Sequence, residues 1–324
     1  MKKFVLIGLL VVVLAGGFLW WQYSRPVLVE PAAEEVIFDN SATSSLVFVG
    51  DVMLDRFVGD IIDRRNDVNF PFAKVAGYLN AADVVFANLE CTISDKGKNV
   101  GSIYSFRADP KVIDGLKYAG LDVVSVANNH IFDWGRDALV DTSERLNAAN
   151  IATVGSGKNE SQANKPKVFN LKGGKVAYLA YTNLYPKSLL ATADTPGISH
   201  FDIESVMAQI REANKLASVI VVSFHWGDEY ATTSNASQKE IAHAAVDAGA
   251  SLVIGHHPHV PQEVEKYKNS WIVYSLGNFV FDQNFSPDTE HGLVAEAVMK
   301  GGSIIDLKTR EVKFTREYQP YFPE

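Results

Sequence analysis

The chain has 324 residues, of which 47% are hydrophobic and 21% are charged. This composition excludes a disordered chain, a collagen-like fibre and a multi-pass membrane protein. Asp and Glu outnumber Lys and Arg, 38 to 30, so the net charge of −8 provides no basic surface and we expect no nucleic-acid partner. A single cysteine, Cys91, cannot form an internal disulfide, so the fold must rest on its core.

The N-terminus carries the strongest compositional bias. Two lysines precede an uncharged run at residues 4–21, which closes in aromatic residues. As a helix this run would be roughly 27 Å long, close to the thickness of a bilayer core. We expect residues 1–23 to form a signal anchor, one transmembrane helix with its N-terminus in the cytoplasm and the globular domain outside it, at the cell membrane. The alternative is a cleaved signal peptide.

Small residues within this segment, at Gly8, Ala15, Gly16 and Gly17, would allow close helix contact with other membrane subunits of a polymer synthase. Residues 24–45 contain Pro, Ala, Glu and Ser without apolar periodicity, which predicts a linker. The globular domain is therefore expected at residues 46–324.

The domain alternates short β-branched runs with longer amphipathic stretches, which is typical of α/β architecture. The predicted strands are Leu46–Val49, Val84–Ala87, Val123–Ala127, Val219–Phe224, Leu252–Ile254 and Ile272–Leu276. The predicted helices are Pro110–Ala119, Asp137–Ala149, Ile203–Leu216 and Ser237–Ala248.

Polar side chains follow each of the predicted strands. In chain order they are Asp51, then Asn88 and Glu90, then Asn128, Asn129 and His130, then His225, then His256, His257 and His259, and finally Asn278. The carboxyl ends of parallel strands meet at one edge of an open α/β sheet, where ligands bind. The pattern therefore predicts one convergent site, and carboxylate, amide and imidazole ligands without thiolate suit Mn, Zn or Fe.

The histidine cluster at residues 256–259 is the most specific of these signals, because three neighbouring imidazoles are readily explained by a cation that binds their neutral rings. His225 taken alone would more often be a structural residue. Glu90 and Cys91 are adjacent, so only one of them can face the site, and we assign the carboxylate to it and Cys91 to the core.

Several ordered motifs resemble one family. They are Gly50-Asp51-Val52-Met53-Leu54-Asp55-Arg56, Asn88-Leu89-Glu90, Phe106-Arg107-Ala108, Ala127-Asn128-Asn129-His130 through Gly135, His225 through Tyr230, Gly255 through Val260, and Tyr274 through Phe279. Together they resemble the capsule-synthesis CapA family, also called the poly-γ-glutamate biosynthesis protein family, which has the calcineurin-like metallophosphatase fold. The resemblance implies a four-layer α-β-β-α sandwich with mixed sheets.

The resemblance also implies a set of metal ligands. Glu90 would bridge two metals; Asn129, His225 and His257 would complete one site, and Asp51 and His259 would contribute to the other. The metallophosphatase pattern expects a histidine where this chain has Met53. We therefore expect one firm metal site and a second that is weak or absent.

If the site is catalytic, the metal would activate a water molecule and stabilise the developing oxyanion. His130 is then the candidate general acid, with Asp133 as its orienting partner. Arg56, Arg107 and Asn278 are the candidate substrate-binding residues, and the alternative for each arginine is a surface ion pair.

Two classes of function remain open at this point. The first is a membrane-anchored, metal-dependent phosphoester hydrolase of capsule or poly-γ-glutamate-type biosynthesis. The alternative is a non-catalytic accessory subunit that binds an anionic polymer and helps to export it. A metal-free structural domain would require the histidine cluster to be coincidental.

Overall fold

The structure is a computed structural model that describes residues 42–323. The predicted signal anchor, residues 1–23, lies outside the described residues, as does most of the predicted linker. Among the helices of residues 42–323, none is long and apolar enough to cross a membrane. The first strand begins at Thr43, so the last residues of the predicted linker belong to the sheet.

Helices occupy seven segments of the described chain. They are α1 (Arg56–Arg65), α2 (Ala76–Leu79), α3 (Ile113–Tyr118), α4 (Gly135–Ala148), α5 (Glu160–Ala163), α6 (Ile203–Ala213) and α7 (Ala236–Asp247). Short 3₁₀ turns lie at Phe70–Phe72, Pro110–Val112, Lys187–Leu189 and Pro287–Glu290. The four predicted helices correspond to α3, α4, α6 and α7, whereas α1 was not predicted.

Strands make up most of the remaining structure. The first nine are β1 (Thr43–Val52), β2 (Val84–Leu89), β3 (Thr92–Ile93), β4 (Arg107–Ala108), β5 (Val123–Ser125), β6 (Ala152–Val154), β7 (Ser156–Gly157), β8 (Lys167–Leu171) and β9 (Gly174–Thr182). The others are β10 (Gly197–Ile198), β11 (Val219–His225), β12 (Leu252–His256), β13 (Val264–Tyr267), β14 (Ser270–Val273), β15 (Asn278–Val280), β16 (His291–Lys300), β17 (Ser303–Phe314) and β18 (Pro320–Tyr321). The predicted runs at 123–127 and 272–276 extend beyond β5 and β14.

Two large mixed sheets carry the fold. The eight-stranded sheet has the order β18-β17-β16-β1-β2-β5-β6, with β15 added beside β1. The six-stranded sheet has the order β13-β14-β12-β11-β9-β8. In both, the central pairs are parallel, such as β1 with β2 and β11 with β12. Antiparallel strands lie at both edges of the six-stranded sheet, but only on the β16–β18 side of the eight-stranded sheet, where the other edge strand, β6, is parallel to β5.

The two sheets pack face to face, because alternate side chains of their strands form one shared core. Leu46 and Phe48 of β1 lie in the same apolar cluster as Val176 and Tyr178 of β9. The rings of Phe86 and Tyr178 stack across this interface, with their centroids 5.8 Å apart.

Helices cover the outer face of each sheet. Val47 and Val49 of β1 point away from the shared core and pack with apolar residues of α1 to α4. On the other side, Val206 of α6 and Ile241 of α7 pack on the six-stranded sheet. The layers therefore run α-β-β-α, which confirms the predicted mixed-sheet α/β class and its four-layer arrangement.

The strand register brings the polar strand ends together. Asp51 on β1 pairs with Asn88 on β2 and with Asn278 on β15. On the second sheet His225 pairs with His256. The carboxyl ends of both sheets thus converge on one edge of the sandwich, as the sequence pattern predicted.

Gly50, directly before Asp51, lies too close to its neighbour to carry a side chain. A Cβ atom at this position would lie 1.9 Å from the carbonyl oxygen of Gly277, which also accepts the Asp51 N–H. Gly50→Ala should therefore lower the free energy of unfolding by about 1–3 kcal/mol or more, measured by chemical denaturation.

Gly77 supplies the matched control for this substitution. It lies in α2, and a Cβ there would meet no atom within 4 Å. Gly77→Ala should raise stability by up to about 1 kcal/mol. Equal effects of the two substitutions would show that close backbone packing does not constrain the strand that carries Asp51.

Candidate metal centre

Glu90 lies at the centre of the convergent site. Its side chain has no exposed surface, and its Oε1 atom has no hydrogen-bond partner among the described residues. The Nε2 atoms of three imidazoles surround Oε1, those of His259 at 3.6 Å, His130 at 3.9 Å and His225 at 4.0 Å. A buried carboxylate oxygen without a partner, encircled by imidazole nitrogens, is the arrangement expected of a metal ligand.

Asp51 is the second buried carboxylate. Its Oδ1 accepts a hydrogen bond from Asn88 Nδ2 at 2.9 Å and lies 3.2 Å from His256 Nδ1. Its Oδ2 accepts the backbone N–H of His257 at 3.3 Å and lies 3.4 Å from His259 Nδ1. The two oxygens therefore differ, because Oδ1 faces Asn88 and His256 whereas Oδ2 faces His257 and His259.

Two groups of side chains have the geometry to hold a cation. Glu90, His257 and His259 form one, and Asp51, Glu90 and His225 form the other; within each, the ligand atoms lie within 4.8 Å of one another. Glu90 belongs to both groups, but His257 is grouped with His259 and His225 with Asp51, which differs from the expected sets. This donor set, together with the unpartnered oxygen of Glu90, fits a divalent metal.

The pKa shifts in the site are those expected of residues that bind a divalent metal. Burial raises the pKa of the Glu90 carboxyl well above its usual value, and the charge of Asp51 raises it further. Burial alone would raise the pKa of Asp51 too, but contacts with His256 and His259 hold it well below its usual value. Burial and the neighbouring His259 lower the pKa of His257 to about 3.

His225 behaves in the same way, since burial, followed by the charge of His257, lowers its pKa well below the usual value. Neutral imidazole is the form that binds metals. The ionised Glu90 carboxylate is disfavoured by burial, and His225 and His257 resist protonation, so these groups provide no positive charge to stabilise it. A divalent cation would supply that charge.

Asn129 lies at the edge of the site and is partly exposed. Its Oδ1 is 2.7 Å from His225 Nε2, a separation that suits a hydrogen bond. The structure thus brings together all of the predicted ligands, Asp51, Glu90, Asn129, His225, His257 and His259.

The backbone of the histidine cluster is strained. His257 and His259 have φ angles of 98° and 59°, in the region that side-chain-bearing residues rarely adopt. These conformations let two histidines separated by one residue both face Glu90. Strain of this kind persists where the surrounding structure holds it, as the Asp51 bond to the His257 N–H does here.

His130 and Asp133 form a direct pair. His130 Nδ1 lies 2.8 Å from Asp133 Oδ2, and the same oxygen accepts the backbone N–H of Phe106 at 2.8 Å. The Phe106 ring packs on the imidazole with centroids 4.0 Å apart. These contacts fix the ring so that His130 Nε2 is directed towards Glu90.

The two predicted substrate-binding arginines have different surroundings. Arg56 Nε donates to Asp282 Oδ2 at 3.0 Å, so its guanidinium forms an ion pair with a buried carboxylate. This is the ion-pair alternative, although Asp282 is buried rather than on the surface. The guanidinium of Arg107 stacks on the Trp134 ring at 3.4 Å. One face of the Arg107 guanidinium is therefore covered by Trp134. Among the described residues, no carboxylate forms an ion pair with its N–H groups.

Asn278, predicted to bind substrate, is fully buried. Its Oδ1 lies 3.0 Å from His259 Nδ1, and its Nδ2 donates to Gln283 Oε1 and to the Thr289 carbonyl. In this structure Asn278 orients His259 rather than lining an open surface.

The sequence pattern placed Asn88 at the convergent site without assigning it a role, and it did not indicate Asp282. Asn88 contacts both carboxylates, and its position two residues before Glu90 on an extended strand was a usable signal, because such residues share a face. Asp282 pairs with Arg56 from 226 residues away, and no local pattern indicates such a contact.

Solved structures define the class of fold. The chain matches the NAD nucleotidase of Haemophilus influenzae with a TM-score of 0.52 and 10% identity, covering 88% of this chain and 60% of that chain. It matches a 5'-nucleotidase precursor from Thermus thermophilus with a TM-score of 0.50 and 15% identity, covering 86% and 56%. These similarities are in fold, and the chain has the predicted metallophosphatase-like α/β fold.

Sequence comparisons identify the family. Residues 45–283 match the family described as bacterial capsule synthesis protein PGA_cap. The "PGA biosynthesis protein CapA" of Bacillus subtilis is 32% identical over 93% of this chain and 78% of its own. The "Capsule biosynthesis protein CapA" of Bacillus anthracis is 33% identical over 81% and 65%. The chain therefore belongs to the CapA, or PGA_cap, family, which confirms the resemblance.

The donor set predicts stabilisation by divalent metal. Adding Mn²⁺ or Zn²⁺ to the metal-free full-length protein should raise its Tm. The free energy of unfolding should rise by about 2.7 kcal/mol at a metal concentration one-hundred-fold above Kd. A chelator should reverse the shift. Glu90→Gln should abolish the response, because Glu90 belongs to both ligand groups.

Glu265→Gln is the control for this measurement. Glu265 also pairs with an imidazole, 3.0 Å from His243 Nε2, but lies on β13 outside the site. This variant should keep the full metal response. A Glu90→Gln protein that still gains stability from metal would contradict the assignment of Glu90.

Proposed function

We propose that the protein is a metal-dependent phosphoester hydrolase that acts in the synthesis of a capsule or poly-γ-glutamate-type polymer. The observation that carries this proposal is the buried His130–Asp133 pair directed at Glu90. A site that only binds a polymer has no need of an imidazole held by a carboxylate next to the metal ligands.

Two groups of residues would hold a divalent metal, Mn, Zn or Fe, and Glu90 belongs to both. Glu90, His257 and His259 would serve one position, and Asp51, Glu90 and His225, with Asn129 beside His225, would serve the other. When bound, the metal would supply an activated water molecule and compensate the negative charge that develops on the substrate. The neutral imidazoles would keep their lone pairs for it, since burial lowers the pKa of His225 and His257.

His130 would donate a proton from Nε2 to the leaving-group oxygen. Asp133 would accept the Nδ1–H, which keeps the ring in a fixed orientation. The Phe106 ring covers one face of the imidazole and limits access of water to it. The chain therefore provides an acid held in place before any substrate binds.

Arg107 would bind anionic groups of the substrate. Its stacking on Trp134 fixes the plane of the guanidinium, which reduces the conformational entropy lost when a phosphate or carboxylate binds its edge. Arg56 would contribute less, because its charge is already paired with Asp282.

The process is inferred from relatives. Two Bacillus relatives are named as capsule or PGA biosynthesis proteins, and a Mycobacterium tuberculosis relative, 30% identical over 72% of this chain, is named "Probable polyglutamine synthesis accessory protein". The last name favours a second candidate, an accessory subunit that binds and helps export an anionic polymer without turnover.

Hydrolysis of an aromatic phosphodiester by the full-length protein, with added Mn²⁺, Zn²⁺ or Fe²⁺, tests the enzyme. His130→Ala should lower kcat about 10²- to 10⁴-fold, because it removes the general acid. Its metal content should be unchanged. His243→Ala, which removes an imidazole paired with Glu265 outside the site, should keep full activity.

Absence of turnover with each metal, in a folded protein that binds metal, would reject the hydrolase and favour the accessory role. Polymer assembly in cells separates the two further. If His130→Ala cells make normal amounts of polymer, the hydrolytic step is not part of that process.

We also propose that residues 1–23 anchor the protein in the cell membrane and that residues 24–45 link the anchor to an extracytoplasmic domain. The uncharged run after two lysines supports this. The full-length chain should stay in the membrane pellet after alkaline carbonate extraction, and a chain without residues 1–23 should not.

External protease applied to intact spheroplasts should digest the domain of the full-length chain. A domain that is protected until the cells are lysed would contradict the orientation. A mature N-terminus downstream of residue 23 would instead identify a cleaved signal peptide.

A further inference from the structure

Asn88 occupies an unusual position between the two carboxylates of the site. The side chain is fully buried. Its Nδ2 atom donates to Asp51 Oδ1 at 2.9 Å and to Glu90 Oε2 at 3.1 Å. The same nitrogen lies 3.3 Å from His225 Nδ1, so its two hydrogens face three groups, all of them on proposed metal ligands.

The orientation of this amide is fixed from outside the site by Asn128. The Nδ2 of Asn128 donates to the backbone carbonyl of Leu89 at 2.7 Å, and its Oδ1 accepts the backbone N–H of His130 at 3.1 Å. A carbonyl can only accept and an N–H can only donate, so both ends of Asn128 are determined.

Asn128 in turn determines Asn88. The Nδ2 of Asn128 also donates to Asn88 Oδ1, at 3.1 Å. The atom of Asn88 that faces Asn128 must therefore be oxygen, and the NH₂ group must face the carboxylates. A rotation of the Asn88 amide by 180° would place its oxygen against two carboxylate oxygens, which would repel it.

We propose that Asn88, oriented by Asn128, is a positioning residue that selects which carboxylate oxygens bind the divalent cation. Asn88 donates to Asp51 Oδ1 and Glu90 Oε2 and so leaves the other oxygen of each carboxylate facing His259. Asp51 Oδ2 lies 3.4 Å from His259 Nδ1, and Glu90 Oε1 lies 3.6 Å from His259 Nε2. It also places an N–H dipole between two negative charges that would otherwise repel each other. This inference rests on the proposed metal centre.

Titration of the metal-free full-length protein with Mn²⁺, followed by calorimetry, tests this proposal. Asn88→Ala should weaken Mn²⁺ binding about 10- to 100-fold, the usual effect of losing a residue that orients metal ligands. Asn128→Ala should weaken it too, although Asn128 contacts no proposed ligand side chain. Wild-type affinity in a folded Asn88→Ala protein would overturn the proposal.

The double variant distinguishes positioning from general loss of structure. If Asn128 acts through Asn88, Asn88→Ala combined with Asn128→Ala should bind Mn²⁺ as Asn88→Ala alone does. Additive losses would show two independent effects and would overturn the relay. Should Asn88→Ala fail to fold, Asn128→Ala decides: reduced Mn²⁺ affinity supports the proposal, and wild-type affinity overturns it.

Gln238→Ala is the matched control. Gln238 and Gln262 form another buried amide pair, with a 2.9 Å hydrogen bond, and neither contacts the carboxylates. This variant should lose stability but keep its Mn²⁺ affinity. If the wild-type protein binds no Mn²⁺, the metal centre fails with the inference; if it binds and Asn88→Ala binds equally, the inference alone fails.

Discussion

The burial of two carboxylates, Asp51 and Glu90, is the constraint on which the rest of the site depends. Neither has exposed surface, and moving a carboxylate out of water is costly unless charge or hydrogen bonds compensate it. The compensation within the chain is incomplete, since Asn88 donates to both residues while Glu90 Oε1 receives no hydrogen. Burial lowers the pKa of His225 and of His257, so these two imidazoles offer lone pairs in place of charge. A divalent cation would complete this balance.

The architecture explains how these groups reach one point. Parallel strands in both sheets end at the same edge of the sandwich, and the two sheets are pressed together by the core around Phe86 and Tyr178. Close backbone approach at Gly50 brings β1 against the Gly277 carbonyl, and the left-handed conformations of His257 and His259 turn their side chains inward. Local strain in this loop is thus balanced by contacts with Asp51, which belongs to the other sheet.

The convergence of the polar residues could be predicted from the sequence because each lies near the end of an apolar run, and the position of a residue at a strand end is a local property. The role of Asn88 could have been found by the same reasoning, since it shares a strand face with Glu90. The pairing of Arg56 with Asp282 could not, because it joins residues far apart in sequence whose charges give no pairing rule. The long β16–β17 hairpin also went unpredicted, although its strands complete one side of the eight-stranded sheet. Contacts of this kind depend on the assembled fold.

Met53 removes one expected imidazole from the site. Where a histidine was expected, its side chain is fully buried in the outer core, and its sulfur accepts the Asp55 N–H at 3.1 Å. It therefore stabilises the turn after β1 instead of offering an imidazole. The group of possible ligands that contains Asp51 therefore consists of Asp51, Glu90 and His225, without a further imidazole two residues after Asp51. With one imidazole fewer, the hydrogen bond from Asn88 to Asp51 Oδ1 matters more. An oriented carboxylate binds a cation with less loss of entropy than a mobile one. We infer that the amide of Asn88 partly offsets the imidazole that Met53 cannot supply.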